Sequence, residues 1–380
     1  MTRRAADTAT VHAKIDAMHI KKAHWVVFAA VAASCGGLPA HAAESLDECL
    51  LRQAREADAS TSVGELRSRC ADAQKAALPA APAAPASPAS AASAPATLIA
   101  RATTQPAATL SLFERRAASE LRAVQEPFAL LPHRPNYLLP LSYQGRPDES
   151  RAVSRAYRKT EVQLQLSFKF PVTPPLFGDR VIPFFGYTGR SWWQLYDGSR
   201  SRPFREYNHE PEVFLAWVGA RNEYFGWTNQ FSTFGLSHQS NGRTLDGSRS
   251  WNRVFGEFYL DRGQSQWATL KLWARIKEDA KTSADDTSGD DNPDIERFLG
   301  NFEFKWGAVL AHNHRITATA RQSLRSGGKG ALQLDWSRPF PGSPSLRFNI
   351  QGFDGYGDSL ADYNVRVRRI GLGIMLNDWL

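Results

Sequence analysis

Long apolar runs are the first feature that this sequence lacks. Nowhere do its 380 residues contain the roughly 18 consecutive apolar residues that a membrane-spanning helix requires. A chain that crosses a membrane without such a helix must do so as a closed β-barrel, because only these two structures satisfy every backbone hydrogen bond in lipid. The sequence therefore leaves a soluble fold or a membrane barrel.

Neither sign of charge is concentrated in the chain. Lys and Arg total 46 against 38 Asp and Glu, which gives a formal charge of +8. Residues 1–42 hold five of these cations and two of these anions, so the remaining residues carry +5. The basic residues are scattered among acidic ones, which argues against a surface that binds nucleic acid.

The N-terminus has the pattern of a cleaved export signal. Lys21-Lys22 precedes the apolar run Trp25–Ala33, and Ala40-His41-Ala42 supplies a small-x-small cleavage site. We therefore predict that residues 1–42 are a signal peptide and that the rest of the chain is exported. A lipoprotein signal at Cys35 is less favoured, because no large aliphatic residue stands just before that cysteine.

Cysteine is scarce, and only Cys49 and Cys70 would remain after cleavage. An isolated pair in an oxidising compartment is more typical of a disulfide than of a metal or redox site. We expect a small Cys-paired periplasmic segment over residues 43–74. Residues 75–127 then combine a Pro- and Ala-rich linker with a short amphipathic helix over 111–125.

From about residue 128 the sequence alternates apolar and polar residues with the period of a β-strand. In Glu161–Phe170 and in Ala268–Ile276 every even-numbered residue is apolar. Alternation over about ten residues is longer than in most soluble strands and fits the tilted strands of membrane barrels. The fold class that we predict for residues 128–380 is all-β, a transmembrane antiparallel β-barrel of about 12 strands. A large soluble β-sandwich is the alternative.

The strands are predicted from the alternation and the turn residues between the apolar runs. They cover 136–144, 159–171, 181–196, 210–220, 226–240, 249–262, 266–277, 295–310, 314–323, 330–338, 345–354 and 363–376. The alternation slips near 368–370, where we predict a bulge. With a periplasmic N-terminus, the connections after odd-numbered strands face outward. Most of the long connections are among these, as in membrane barrels.

Three polar residues share the face that the predicted barrel turns toward lipid. His238 and Ser240 lie two residues apart on one strand, and Asn252 lies on the matching face of the next strand. The same face continues through Leu236 and Val254. Polar side chains in lipid are costly, so a function is expected to retain them there.

These three residue types together suggest nucleophilic ester hydrolysis. The Ser240 hydroxyl would attack the carbonyl while His238 accepts its proton and returns it to the leaving alcohol. Asn252 would accept a hydrogen bond from the other ring nitrogen and so hold the imidazole tautomer. The alternative is a purely structural role, in which Ser240-Asn241-Gly242 is only a hairpin turn, since Asn-Gly favours type I′ turns.

The sequence resembles the outer membrane phospholipase A family over about residues 130–380. The resemblance rests on His-x-Ser-Asn-Gly-Arg at 238–243, on Ser-Arg-Ser-Trp-Asn-Arg at 248–253 and on the fourteen-residue step from His238 to Asn252. Further matching segments are Ser191–Gln194, Pro203–Glu206, Asp291–Ile295 and Gly371–Asp378.

The resemblance implies a calcium-dependent phospholipase of the outer membrane that hydrolyses acyl esters of glycerophospholipids and is active as a homodimer. A1, A2 and lysophospholipase activities are implied together. His238, Ser240 and Asn252 match the family's catalytic residues, and the Gly242 backbone N–H matches its oxyanion donor. The implied calcium ligands are the Arg243 carbonyl, the Ser248 hydroxyl and the carbonyl of Ser201 of the partner subunit, with Asp291 fitting a second site.

Two departures from the family pattern concern the dimer and the second calcium site. Gly189 occupies a wall position where the family often has a polar residue. Leu245 stands where an acid of the second calcium site is expected, and Asp246 lies one residue later. Both features stay open at the level of the sequence.

Two other functions remain as alternatives. One is a passive barrel channel or assembly protein, which the polar, bulky lumen residues disfavour. The other is an esterase that acts on a different acyl substrate, such as an acyl group of lipopolysaccharide. His209, His312 and His314 are expected to be ordinary surface residues in loops, and the acidic stretch 281–294 is expected to be mainly a solvated loop.

Overall fold

The computed structural model describes residues 109–376 and isolated positions between 49 and 70. Within the first range it leaves out residues 125, 127–128, 146–155, 178–179, 219–221, 245–246, 284–285, 287–288 and 344. The chain divides into two compact units, Met1–Pro88 and Ala89–Leu380. In the first unit a disulfide joins Cys49 and Cys70, as predicted. The signal peptide predicted over 1–42 and the linker predicted from residue 75 lie outside the described residues.

Twelve long strands form the second unit. They are β1 (Asn136–Gly145), β2 (Thr160–Pro171), β3 (Val181–Trp193), β4 (Phe204–Trp217), β5 (Trp227–Ser240), β6 (Ser250–Arg262), β7 (Gln266–Ile276), β8 (Phe302–Val309), β9 (Arg315–Gln322), β10 (Gly330–Pro339), β11 (Leu346–Gly355) and β12 (Val367–Leu376). Each strand pairs antiparallel with the next, and β12 pairs with β1, so the sheet closes on itself. Two short strands, Leu131–Pro132 and Asn222–Tyr224, pair with β2 and β5 outside this ring. The predicted fold class is confirmed.

The barrel wall has a polar inner face and an apolar outer face. On β6, Arg253 and Glu257 are buried inside while Val254 between them is exposed. Large apolar side chains exposed on the outer face include Leu138, Leu166, Val213, Leu215, Phe234, Leu236, Leu272, Ile276, Phe304, Leu332, Leu334, Ile350, Ile370 and Leu372. This distribution is the reverse of a soluble sandwich and is typical of a barrel that spans a membrane.

A network of ion pairs crosses the lumen. Arg134 reaches Glu210 at 3.0 Å and Glu212 at 2.8 Å. Arg253 pairs with Glu210 at 2.6 Å, and Lys271 pairs with Glu212 at 2.8 Å. Each buried carboxylate therefore meets two cations, which offsets the cost of removing these charges from water.

A helix precedes the barrel and fills one end of its lumen. Helix α1 spans Leu112–Ala123, inside the predicted range, and begins with a capping box between Ser111 and Glu114. The Ser111 hydroxyl also donates to Asp261 on β6 at 2.6 Å. The fully buried Phe113 makes edge-to-face contacts with three rings of the barrel: Phe231, Tyr259 and Trp267. The helix is thus fixed to the inner wall by apolar and polar contacts.

The strand predicted from residue 295 is shorter than expected. Residues Ile295–Leu299 form helix α2, and β8 begins only at Phe302. Ile295 and Leu299 are four residues apart, share one helix face and are both buried. Gly300, with φ of 81°, ends this helix. The strand was predicted from apolar residues at even-numbered positions from 298 onward, whereas Ile295 and Leu299 are odd-numbered and fit only the helical spacing.

Other strand boundaries shift by a few residues. β4 begins at Phe204 rather than at 210, and β3 ends at Trp193 rather than at 196. β12 begins at Val367 rather than at 363, because the preceding residues form turns in which Tyr363 N–H donates to Leu360 and Val365 N–H donates to Asp362.

The bulge predicted near 368–370 is wrong. β12 pairs with β11 without interruption from Val367 to Leu376. The irregularity lies instead on the other side of β12, where Leu372 faces Leu141 but Ile374 faces Leu138. The extra residue is therefore in β1, beside Pro140, which has no backbone N–H to pair with a neighbour.

Antiparallel closure places six connections, including the four longest, at one end of the barrel, which we call the long-loop end. They are 146–159, 194–203, 241–249, 277–301, 323–329 and 356–366. The connections at the opposite end, where α1 lies, are 172–180, 218–226, 263–265, 310–314 and 340–345. None of the helices among the described residues is long and apolar enough to cross a bilayer.

Candidate active site

His238 and Asn252 form a cross-strand pair on the outer face of the barrel. They lie opposite each other in the register of β5 and β6, and Asn252 Oδ1 is 2.8 Å from His238 Nδ1. An amide oxygen only accepts, so this bond requires the proton on Nδ1. The second ring nitrogen, Nε2, is then the basic one.

Ser240 ends β5 two residues beyond His238, and its side chain shares the outer face. Its cross-strand neighbours are Ser250 on β6 and His209 on β4. Among the described residues, the Ser240 hydroxyl makes no hydrogen bond. The structure therefore joins His238 to Asn252 and places Ser240 beside them without a bond. In the absence of substrate, the hydrogen bond between a nucleophilic serine and its histidine base is often long or unformed.

Glu278 is a site residue that the sequence analysis missed. The Asn252 amide Nδ2 donates to Glu278 Oε1 at 2.7 Å. Asn252 faces Ile276 in the register of β6 and β7, and Glu278 follows Ile276 by two residues. Strand parity alone would have placed Glu278 on the same face as Asn252, but it lies beyond the last apolar residue of the strand.

The buried Asn241 shapes the loop between β5 and β6. Its Nδ2 donates to the Gly247 carbonyl at 2.9 Å, and its Oδ1 accepts from the N–H groups of Arg243 at 3.3 Å and Arg249 at 3.0 Å. The next residue, Gly242, has φ of 63° and is exposed. This loop has nine residues, 241–249, so the alternative of a bare two-residue Asn-Gly hairpin is wrong.

The Arg243 and Ser248 side chains connect this loop to its neighbours. Arg243 Nε is 3.0 Å from Glu206 Oε2, and its guanidinium also donates to the Arg205 carbonyl. The Ser248 hydroxyl donates to Asp291 Oδ2. Ser248 and Asp291, which are 43 residues apart in the chain, are thus brought together.

The acidic stretch predicted as a solvated loop is instead tied to its surroundings. Asp291 Oδ1 is 2.5 Å from Lys281 Nζ, and Asp290 pairs with Arg275 at 2.6 Å. The Asp290 N–H donates to the Asp279 carbonyl at 2.8 Å, which folds the stretch back on itself. In the described part of the chain, no three His, Cys, Asp or Glu side chains form a metal-ligand cluster.

The tyrosine beside this stretch is held as a proton donor. Tyr363 Oη donates to Asp294 Oδ1 at 2.5 Å. Burial, this bond and the negative charge of Asp294 hold the pKa of the Tyr363 phenol well above its usual range. Tyr363 therefore keeps its proton, and the contact with Asp294, at physiological pH.

Ser201 lies in the neighbouring connection 194–203, also at the long-loop end. It follows a short 3₁₀ turn, Gly198–Arg200, and has φ of 57°. Among the described residues of this chain no hydrogen bond joins Ser201 to Arg243 or Ser248. The structure therefore places the predicted ligands Arg243, Ser248 and Asp291 at one end, and Ser201, predicted as a ligand from the partner subunit, is not hydrogen-bonded to Arg243 or Ser248 within this chain.

His209 is not in a loop, as the sequence suggested, but within β4. Its Nδ1 is 2.7 Å from Tyr187 Oη on β3. The Tyr187 ring also covers Gly189, where an added Cβ would lie 3.1 Å from Tyr187 Oη. This tyrosine–histidine pair supplies polar groups to the outer wall beside Gly189. His312 and His314 do lie in a connection, 310–314, as predicted.

Comparison with known proteins gives a consistent family. The family model described as phospholipase A1 matches residues 113–376. Phospholipase A1 of Klebsiella pneumoniae is 36% identical over 268 residues, which cover 69% of this chain and 87% of that protein. Phospholipase A1 of Escherichia coli K12 is 34% identical over 268 residues, which cover 69% of this chain and 86% of that protein.

Solved structures agree with the sequence comparison. Outer membrane phospholipase A from Escherichia coli superposes with a TM-score of 0.59 and 33% identity, covering 67% of this chain and all of the other. The Salmonella typhi outer membrane phospholipase dimer with bound calcium gives 0.59 and 34%, covering 68% and 96% of the two chains. The residues matched by the family model, 113–376, include the barrel and the candidate site and begin within α1. The chain belongs to the phospholipase A1 family.

Proposed function

We propose that this protein is a calcium-dependent phospholipase of the outer membrane that releases fatty acids from glycerophospholipids. The observation that carries the proposal is the 2.8 Å bond between His238 and Asn252 on the outer face of the barrel, with Ser240 two residues along the same face. A soluble substrate would not require these groups on an apolar wall, whereas a phospholipid reaches that wall directly.

The roles follow from the chemistry of each side chain. Ser240 Oγ attacks the acyl carbonyl as His238 Nε2 takes its proton, and His238 then protonates the departing alcohol. Water repeats the sequence in the second half-reaction and releases the fatty acid. Asn252 holds the ring with Nδ1 protonated. The Gly242 N–H donates to the oxyanion. The residue has a positive φ, which glycine adopts without strain.

The oxygen donors at the long-loop end fit a calcium ion. The Arg243 carbonyl and the Ser248 hydroxyl are hard oxygen ligands of the kind that calcium prefers, and the contact of Ser248 with Asp291 places a carboxylate beside this site. Calcium bound there would supply positive charge near the oxyanion. Lys281, already paired with Asp291, competes for that carboxylate, so we assign Asp291 to a second and weaker site.

Dimerisation is the regulatory part of the proposal. The Salmonella typhi relative is a dimer with bound calcium, and Ser201 lies at the same end as Arg243 and Ser248. The Ser201 carbonyl of the partner subunit would then complete the calcium site. The Tyr187–His209 pair lies on the outer wall near Gly189 and supports a polar contact there in place of the missing side chain at position 189.

Export is required for this location. We propose cleavage after residue 42, a periplasmic Cys-paired segment over 43–74, a linker with a helix over 75–127 and the enzymatic barrel over 128–380. Since α1 packs inside the barrel, we count its residues with the barrel and not with the linker.

The first prediction tests the proposed function. Purified protein in mixed phospholipid–detergent micelles should release fatty acid with calcium and lose most of that activity with chelator. Ser240→Ala should reduce release to background. Ser250→Ala is the matched control, because Ser250 faces Ser240 across β5 and β6 and has no assigned role, so it should retain most activity.

Three outcomes would contradict parts of this proposal. Equal release with and without calcium would remove the metal requirement. Activity on acyl lipopolysaccharide but not on phospholipid would favour the alternative of an esterase with a different acyl substrate. No release from folded, dimeric protein would favour the passive barrel.

A further inference from the structure

The Asn252 amide lies between two partners. Its Oδ1 is 2.8 Å from His238 Nδ1, and its Nδ2 is 2.7 Å from Glu278 Oε1. The three side chains form a continuous line from a carboxylate, through an amide, to the imidazole. This line is on the outer face of the barrel, and the amide links the carboxylate to the imidazole.

An amide in this position has two orientations of nearly equal shape but opposite chemistry. With Oδ1 toward the ring, Asn252 accepts from a protonated Nδ1 and leaves Nε2 basic. With the amide flipped, Nδ2 would donate to Nδ1, and the proton would move to Nε2. The ring could then not accept the Ser240 proton. His238 alone does not choose between these states, because either ring nitrogen can carry the proton.

Glu278 makes the choice. An ionised carboxylate only accepts hydrogen bonds, so it pairs with the Nδ2 group of Asn252 and not with Oδ1. Oδ1 must therefore face His238. The carboxylate also polarises the amide, which strengthens the second bond and favours the imidazolium that forms during proton transfer.

The backbone around Glu278 is held in place. Asn252 and Ile276 are paired in the register of β6 and β7, which sets the distance from the strand end to Asn252. One residue after Glu278, the Asp279 carbonyl accepts the Asp290 N–H at 2.8 Å. Asp290 itself pairs with Arg275 at 2.6 Å. Glu278 thus lies between the end of a strand and a closed turn.

We propose that Glu278 is a positioning residue that fixes the Asn252 amide and, through it, the tautomer of His238. The inference rests on the proposed function of Ser240 and His238. It assigns to the loop after β7 a part of the site that residues 238–252 do not supply.

Exchanging the two groups tests the orientation directly. Glu278→Gln and Glu278→Ala should each lower kcat for fatty-acid release on the order of tenfold, with little change in KM. Asn252→Asp should also lower kcat for fatty-acid release, because the new carboxylate at position 252 and the carboxylate of Glu278 would then repel each other. The double variant Asn252→Asp/Glu278→Gln should regain at least tenfold over Asn252→Asp, since the glutamine can donate to the new carboxylate.

A second readout separates this inference from the choice of substrate. The rate at which a fluorophosphonate probe labels Ser240 depends on His238 but not on phospholipid binding, so it should follow the same order among the variants. Asp279→Asn is the matched control on the same loop and should behave as wild type. Heat-dependent gel mobility and dimer content should be unchanged in every variant.

The outcomes are distinct. Wild-type kcat and labelling in Glu278→Ala, or no recovery in the double variant, would overturn the role of Glu278. Labelling that follows the predicted order without any fatty-acid release would instead overturn the phospholipase function. Absence of labelling in folded wild type would overturn both.

Discussion

At the scale of the residue, Gly242 carries a conformational requirement rather than a packing one. Its φ is 63°, and an added Cβ would meet no atom within 4 Å. A side chain at this position would therefore be strained by the backbone alone, at a cost of about 1 kcal/mol. The strain would be relieved by rotation of the peptide whose N–H we assign to the oxyanion.

Gly242→Ala should accordingly lower kcat by roughly tenfold or more, since complete loss of one oxyanion donor lowers kcat by about 10²–10³. The barrel should stay folded, because residue 242 is exposed in a loop. Fatty-acid release and thermal unfolding should be measured together. Gly198→Ala is the matched control: it also has open space around an added Cβ, but it lacks the positive φ. Full activity in Gly242→Ala would rule out the assigned oxyanion role.

Parity identified the outward His238, Ser240 and Asn252 in the sequence, because side chains alternate strictly along a strand. It did not identify Glu278, because that residue lies beyond the last apolar residue of β7, where the alternating pattern ends. His209 was misplaced because β4 was predicted to begin at residue 210, whereas the strand begins at Phe204. Asn241 is a third example: its role depends on contacts with Gly247 and Arg249 that only the folded loop creates.

At the scale of the element, helix α1 acts as an internal plug. Phe113 is fully buried and touches three rings, from β5, β6 and β7. Its loss would leave a cavity at the end of the lumen where α1 joins the wall.

Phe113→Ala should lower the free energy of unfolding by about 3–5 kcal/mol, the usual range for a buried phenylalanine. Arg122→Ala on the exposed side of the same helix should change it by less than about 0.5 kcal/mol. Unfolding in urea, followed by tryptophan fluorescence, gives both values. Equal stability of the two variants would show that α1 does not anchor to the wall.

Alternation predicted most strands because membrane strands are long enough to repeat it several times. It failed at Ile295–Leu299, because the alternation that begins at Phe298 was extended back over residues whose four-residue spacing is helical, and Gly300 marks the change. The bulge in β1 was missed for a different reason. The extra residue shifts the outward face from Leu138 to Leu141, but residues 137–141 are all apolar, so the sequence pattern does not show this change of parity.

At the scale of the whole molecule, ion pairs and a helix obstruct the lumen. Glu210 and Glu212 are each held by two cations from different strands or from the segment before β1, and α1 occupies one end. An ion that entered would have to break these pairs.

The protein should therefore conduct poorly in a planar lipid bilayer, with single-channel steps below roughly one tenth of those of a general porin in the same salt. The porin serves as the control for insertion and detection, and antibody recovery of the inserted protein confirms its presence. Steady, large steps would support the passive-channel alternative.

The outward direction of His238 and Ser240 determines how substrate would reach the site and where product would remain. Substrate would arrive by lateral diffusion within a two-dimensional phase, so turnover would follow the surface mole fraction of phospholipid and not its bulk concentration. The released acyl chain would stay in the same leaflet, where it changes local curvature and permeability. The enzyme would thus change the membrane that delivers its substrate, and the change in curvature and permeability would begin in the lipid that surrounds the barrel.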